Sequence, residues 1–123
     1  MFIPSMLLKQ LYTHGSLQKT EDGLCFMLKN RLKDASISEI LHIVLDGNHI
    51  PKEKITLKVG ADMLLSAEEI NAKGDISFPL REVITVFLNV RAKAGPEKLK
   101  LGLSFKASPF GKLKFEVEDN ISD

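Results

Sequence analysis

The chain has no tryptophan, one tyrosine and one cysteine in 123 residues, and its 17 basic side chains face 16 acidic ones. Each shortage excludes something. One cysteine, Cys25, leaves no intrachain disulfide and no cysteine-rich zinc pattern, and it fits a reducing cytoplasm. Inside the apolar run Leu24-Cys25-Phe26-Met27-Leu28 the thiol reads as a small strand residue rather than a nucleophile. A net charge of +1 argues against nucleic acid, whose binding faces carry a basic excess. No apolar stretch approaches the roughly 18 residues of a membrane helix. The apolar start from Met1 to Leu8 lacks the basic opening of an export signal, is interrupted by Pro4, and gives way to Lys9 and Gln10. The expectation is a soluble, cytoplasmic protein that needs no cofactor.

What the chain does have is alternation. Phe26 and Leu28 face one way, and Cys25, Met27 and Lys29 face the other, the period of a strand with one buried side. Ile37, Leu41, Ile43 and Leu45 form a second apolar row. Ile40 and Val44 make the opposite face of that strand apolar too, which predicts a central position. Ile55, Leu57 and Val59 follow, then Ile84, Val86, Leu88 and Val90. Leu99, Leu101, Leu103 and Phe105 pair naturally with Leu113, Phe115 and Val117 across Ser108-Pro109-Phe110-Gly111, a hairpin with a loop of four to five residues. Six such rows separated by turn clusters predict an all-β, antiparallel two-sheet sandwich of immunoglobulin-like type, with at most one or two short helices.

Residues 1–123 read as one domain, since two would each fall near the minimum size for a core. Residues 1–12 form an N-terminal arm, a short helix near Ser5 to Leu11 or an edge strand, in which Leu7, Leu8 and Leu11 share a face. Ser66-Ala67-Glu68-Glu69 carries a capping-box pattern for one further helix. Residues 120–123 form an acidic tail expected to fray.

Reactive constellations do not assemble from this pattern. His42 lies in the central strand on the face of Ile40 and Val44, where a hydrogen-bonded core or interface histidine is the natural reading. His14 and His49 fall in loops, and the three lack the spacing of metal ligands. The pairs Glu21-Asp22, Glu68-Glu69 and Glu116/Glu118 sit on adjacent or wet-face positions rather than converging on a cleft. Ser104 falls on the wet face of its strand with no histidine or acid tied to it. Lys98, Lys100, Lys106, Lys112 and Lys114 form a basic stripe on the terminal hairpin. That stripe reads as a solvated, edge-protecting face, with docking to an acidic partner as the second reading. Surplus apolar surface is the more suggestive feature. Phe2, Ile3, Met6, Leu7 and Tyr12 of the arm, with Ile40, His42 and Val44 of the two-faced strand, are the candidate interface to a protein partner.

The ordered landmarks Phe26-Met27-Leu28-Lys29-Asn30, Leu45-Asp46-Gly47 with Ile50-Pro51, Phe78-Pro79-Leu80 before Val83 to Val90, Gly95-Pro96-Glu97, and Phe115-Glu116-Val117-Glu118-Asp119 resemble a known family. It is the small β subunit of bacterial C-glycoside deglycosidases, together with its uncharacterised relatives. The likeness is spread over about residues 15 to 120. It implies a β sandwich packed beside a larger barrel subunit that carries the divalent metal and the acid–base residues, the pair cleaving a carbon–carbon bond of an oxidised C-glycoside. It transfers no catalytic residue to this chain. The expected function is a non-catalytic accessory subunit that packs against a larger catalytic partner, which the resemblance implies is such a lyase. The alternative is a stand-alone protein- or carbohydrate-binding module, for which Phe110 at a loop tip is the one aromatic platform to hand.

Overall fold

The computed structural model describes residues 3–60, 63–91 and 98–121. In chain order they form α1 (Ser5–Leu8), β1 (Gln18–Thr20), β2 (Gly23–Lys29), β3 (Ala35–Leu45), β4 (Asn48–His49), β5 (Ile55–Val59), β6 (Met63–Ser66), α2 (Ala67–Lys73), β7 (Ile76–Phe78), β8 (Val83–Leu88), β9 (Lys98–Ser108) and β10 (Gly111–Asn120). The first sheet runs β1-β2-β8-β5-β6 and the second β10-β9-β3-β4, with β7 also on β3. Every pairing is antiparallel. The fold is the expected two-sheet sandwich with two short helices.

The core lies between the inner faces. Leu24, Phe26 and Leu28 of β2 face it with Ile84, Val86 and Leu88 of β8 and Ile55 and Leu57 of β5. Leu101, Leu103, Phe105 and Ala107 of β9 oppose them from the second sheet beside Leu113, Phe115 and Val117. This alternation matches the sequence reading for β2, β5, β8, β9 and β10.

Strand β3 departs from it. Its inward residues are Ile37, Ile40 and Ile43, at intervals of three, set against Ala107, Phe105 and Leu103 at intervals of two. Two β-bulges absorb the difference, one between Ile37 and Glu39 and one between Ile40 and His42. Ser38 and Leu41 are the surplus residues. The predicted face is corrected accordingly: Ile40 is core, and Leu41 is only partly buried.

The bulged middle of β3 has no strand on its second edge, because β7 covers Ala35–Ile37 and β4 covers Val44–Leu45. Helix α2 fills the gap. The Asn71 amide accepts from the Ile40 N–H at 2.7 Å and donates to the Ile40 carbonyl at 3.1 Å, copying one rung of a strand. The helix itself starts as predicted. Ser66 Oγ accepts from the Glu69 N–H, and the Glu69 carboxylate accepts from the Ser66 N–H, both at 3.0 Å.

Asn30, fully buried, plays a similar part at the end of β2. Its amide donates to the carbonyls of Phe78 and Lys33 and accepts from the Leu32 N–H, tying the β2–β3 loop to the end of β7 through one side chain.

Three further expectations change. The terminal hairpin turns on three residues, Ser108, Pro109 and Phe110, between the paired Ala107 and Gly111. Phe110 is buried rather than displayed. Within the predicted tail of 120–123, Asn120 is paired and Ile121 is buried, because the inward alternation of Val117 continues, and residues 122 and 123 lie outside the described residues. Removing the Asn71 amide strands the Ile40 N–H and carbonyl, so Asn71→Ala should cost about 1–3 kcal/mol. Urea denaturation checks this as a lower midpoint at unchanged slope.

Candidate functional site

The outer face of the first sheet follows from its register. One row across the strands is Gln18, Cys25, Phe87, Thr56 and Ser66, and the next is Met27, Thr85, Lys58 and Leu64. Lys29 and Val83 close it at one end. Lys29 and Lys58 are the only charged residues in these rows. Large apolar side chains stand in water here: Leu64 is 62% exposed, and Met27 and Val83 are each 38% exposed. Glu21 and Asp22 edge the opposite end. There a hollow of about 370 Å³ opens between them, Lys54, Thr56, Leu64 and Phe87. A sheet covered on one side normally shows water a polar face. This one shows it methionine, leucine, valine and phenylalanine.

Cys25 lies in that face but is largely covered, and burial pushes its thiol up, away from the reactive thiolate. The face therefore offers contact area rather than a nucleophile.

The outer face of the second sheet is its opposite in character. Lys98 pairs with Glu118 at 3.3 Å, Lys100 with Glu116 at 3.8 Å, and Lys106 with Glu39 at 3.7 Å. These contacts are exposed, so each adds little stability, but they turn the predicted basic stripe into a mixed, neutralised surface. Two details escaped the sequence reading. The rings of His42 and His49 stand edge to face, 5.5 Å apart. Ser104, expected on the wet face, is 5% exposed, and its hydroxyl has no hydrogen-bond partner.

The predicted interface residues do not gather on one surface. Phe2 lies outside the described residues. Ile3 is partly buried against the core. Leu8 and Leu11 turn inward, while Met6 is exposed and Leu7, corrected from the face it was expected to share with them, points outward. Tyr12 and Ile40 are buried and so are closed to a partner. His42 is exposed and Val44 half-buried, both on the second sheet's outer side.

Tyr12 is held by a carboxylate. Asp119 occupies the last inward position of β10, and its Oδ2 accepts from the Tyr12 hydroxyl at 2.7 Å and the Gly15 N–H at 2.8 Å. Its Oδ1 accepts from the Asn120 N–H at 2.9 Å. Burial by itself would raise the Asp119 carboxyl. The three donors outweigh it and hold the group below the usual carboxylate range. Burial, then the adjacent carboxylate, drives the Tyr12 phenol well above its ordinary value. The pair is structural.

Among the described residues no group of three His, Cys, Asp or Glu side chains is placed to hold a metal ion. No helix among them is long and apolar enough to cross a membrane. Fold and surface together define the class: a β-sandwich domain with one charged outer face and one apolar outer face. Comparison with known families gives the particular assignment. Residues 7–122 match the family described as hydroxymethylglutaryl-CoA reductase, N-terminal domain, and the chain belongs to that family. No curated protein matches it closely enough to count as a relative. The match overturns the resemblance to the small subunit of C-glycoside deglycosidases. The landmarks behind that resemblance were strand ends and turns, which unrelated sandwiches share, and Gly95-Pro96-Glu97 among them lies outside the described residues.

The Asp119 carboxylate sets an acid limit on stability. Its folded value lies below its unfolded value of about 3.9, so the folded state binds fewer protons. Its contribution is complete above that pH and is lost as pH falls through the folded value. Asp119→Asn should remove that part of the acid dependence below about pH 4, read as a flatter profile of melting temperature against pH. Tyr12→Phe should cost about 1–3 kcal/mol at neutral pH by leaving the buried carboxylate one donor short.

Proposed function

We propose that the chain is a non-catalytic interaction domain, working in the cytoplasm, that packs the outer face of its first sheet against a larger catalytic protein unit. The observation that carries this reading is the set of apolar side chains Met27, Val83, Phe87 and Leu64, spread over neighbouring rows of a sheet face that no other layer of the described residues covers. Burying such side chains contributes about 25 cal/mol per Å² of apolar surface removed from water. The charges on and around this face supply direction. A partner face with basic groups opposite Glu21 and Asp22, and acidic groups opposite Lys29 and Lys58, fits in one orientation and is repelled in the reverse one. The family name refers to one domain of a larger enzyme, which accords with a domain that works beside catalytic machinery. The raised Cys25 thiol and the structural use of Asp119 and Tyr12 accord with it too.

The carbohydrate-binding alternative loses its motive, because Phe110 is packed into the core. The test is co-purification of the native protein from its own cells, with the captured partner identified by mass spectrometry and assayed with and without this chain. A single larger enzyme should be recovered. Its capture should fall at least about tenfold for Leu64→Lys and Val83→Lys, a loss of 1.4 kcal/mol or more, and be unchanged for Lys112→Ser on the other sheet. Equal capture by all three variants, or a monomer that binds no enzyme, defeats the reading. A homodimer broken by the same two substitutions would assign the face to a second copy instead.

A further inference from the structure

The outer face of the second sheet, away from the proposed docking face, brings together two imidazoles that the chain separates by seven positions and the hairpin reunites. Asp46 and Gly47 both adopt positive φ, 49° and 84°, which makes the tight turn that pairs Leu45 with Asn48 and Val44 with His49. His42 stands two positions before Val44 and so lies diagonally across from His49 on the same side of the sheet. The bulge between Ile40 and His42 is what turns His42 outward. Both rings are exposed, and their centres are 5.5 Å apart.

That spacing suits a shared ion. A metal–imidazole bond of about 2.0–2.1 Å puts each ring centre about 3.2 Å from the metal, and rings 5.5 Å apart then subtend roughly 120° there, near the tetrahedral angle. Imidazole nitrogen selects borderline first-row ions over magnesium or calcium. We propose that His42 and His49 together bind one borderline divalent ion, of the class of Zn²⁺, Ni²⁺ and Cu²⁺, on the outer face of the second sheet.

A second observation points to the same place. Ser104 is the direct register partner of His42, and its hydroxyl is buried without a hydrogen-bond partner. The His42 ring makes no hydrogen bond to that hydroxyl in this structure; a ring bound to metal through one nitrogen would donate to it from the other. Glu116, on the row of Val44 and Gly102, is already engaged by Lys100. Water therefore completes the coordination sphere, and the ion exchanges freely.

The experiment titrates the untagged full chain with Zn²⁺ alone and follows histidine ring-proton resonances by NMR. The expected result is one saturable event that moves the His42 and His49 signals together and leaves His14 in place. His42→Gln and His49→Gln should each weaken binding by at least about tenfold, and His14→Gln should leave it unchanged. Because both side chains are exposed, the variants should melt with the wild type. Resonances unmoved at millimolar Zn²⁺, binding retained by both single variants, or binding removed by His14→Gln would each overturn the site.

Discussion

Strand β3 must set an apolar side chain against each inward residue of β9, yet its isoleucines recur every three positions. A strand of period two cannot do this without inserting residues, so the chain bulges twice, at Ser38 and at Leu41. Much else follows from that constraint. Ile40 goes into the core and His42 comes out of it. The ladder opens at Ile40, and Asn71 closes it from a helix whose start is fixed by Ser66 and Glu69. Helix α2 is placed where it is because a strand edge needed a donor and an acceptor.

The two outer faces divide the work. On the second sheet Lys98 and Lys100 pair with Glu118 and Glu116 across β9 and β10, while Lys112 stands opposite Lys106 nearer the turn, a charged surface well suited to water. On the first sheet the outer face holds methionine, valine, phenylalanine and leucine, with Lys58 among them and Lys29, Glu21 and Asp22 toward the ends. The same backbone architecture thus presents one face that resists contact and one that favours it.

Much of this was legible in the sequence, because β2, β5, β8, β9 and β10 keep strict alternation and one face per strand. The bulged strand was not: reading Ile37, Leu41, Ile43 and Leu45 as one row assumes a period that the inserted residues break. Strands β1, β4 and β7 have two or three residues, too few to show any period. The apolar outer face was half visible, since Met27 and Cys25 oppose Phe26 and Leu28 by alternation alone. Their meeting with Phe87, Val83 and Leu64 depends on register, which only the fold supplies. His42 and His49 were separable in sequence and adjacent in space for the same reason. Asp119 looked like the start of a solvated tail, because acidic neighbours at Glu116 and Glu118 disguised its inward phase.

The contact between Tyr12 and Asp119 spans 107 positions of chain. At a synthesis rate of about 5–20 residues per second, the phenol leaves the ribosome's catalytic centre roughly 5 to 20 seconds before its carboxylate is made. Through that interval Leu8, Leu11 and Tyr12 have no β10 to settle on, and the apolar first turn stays open to whatever binds nascent chains. The N-terminal turn of this domain therefore settles only after β10 has been made.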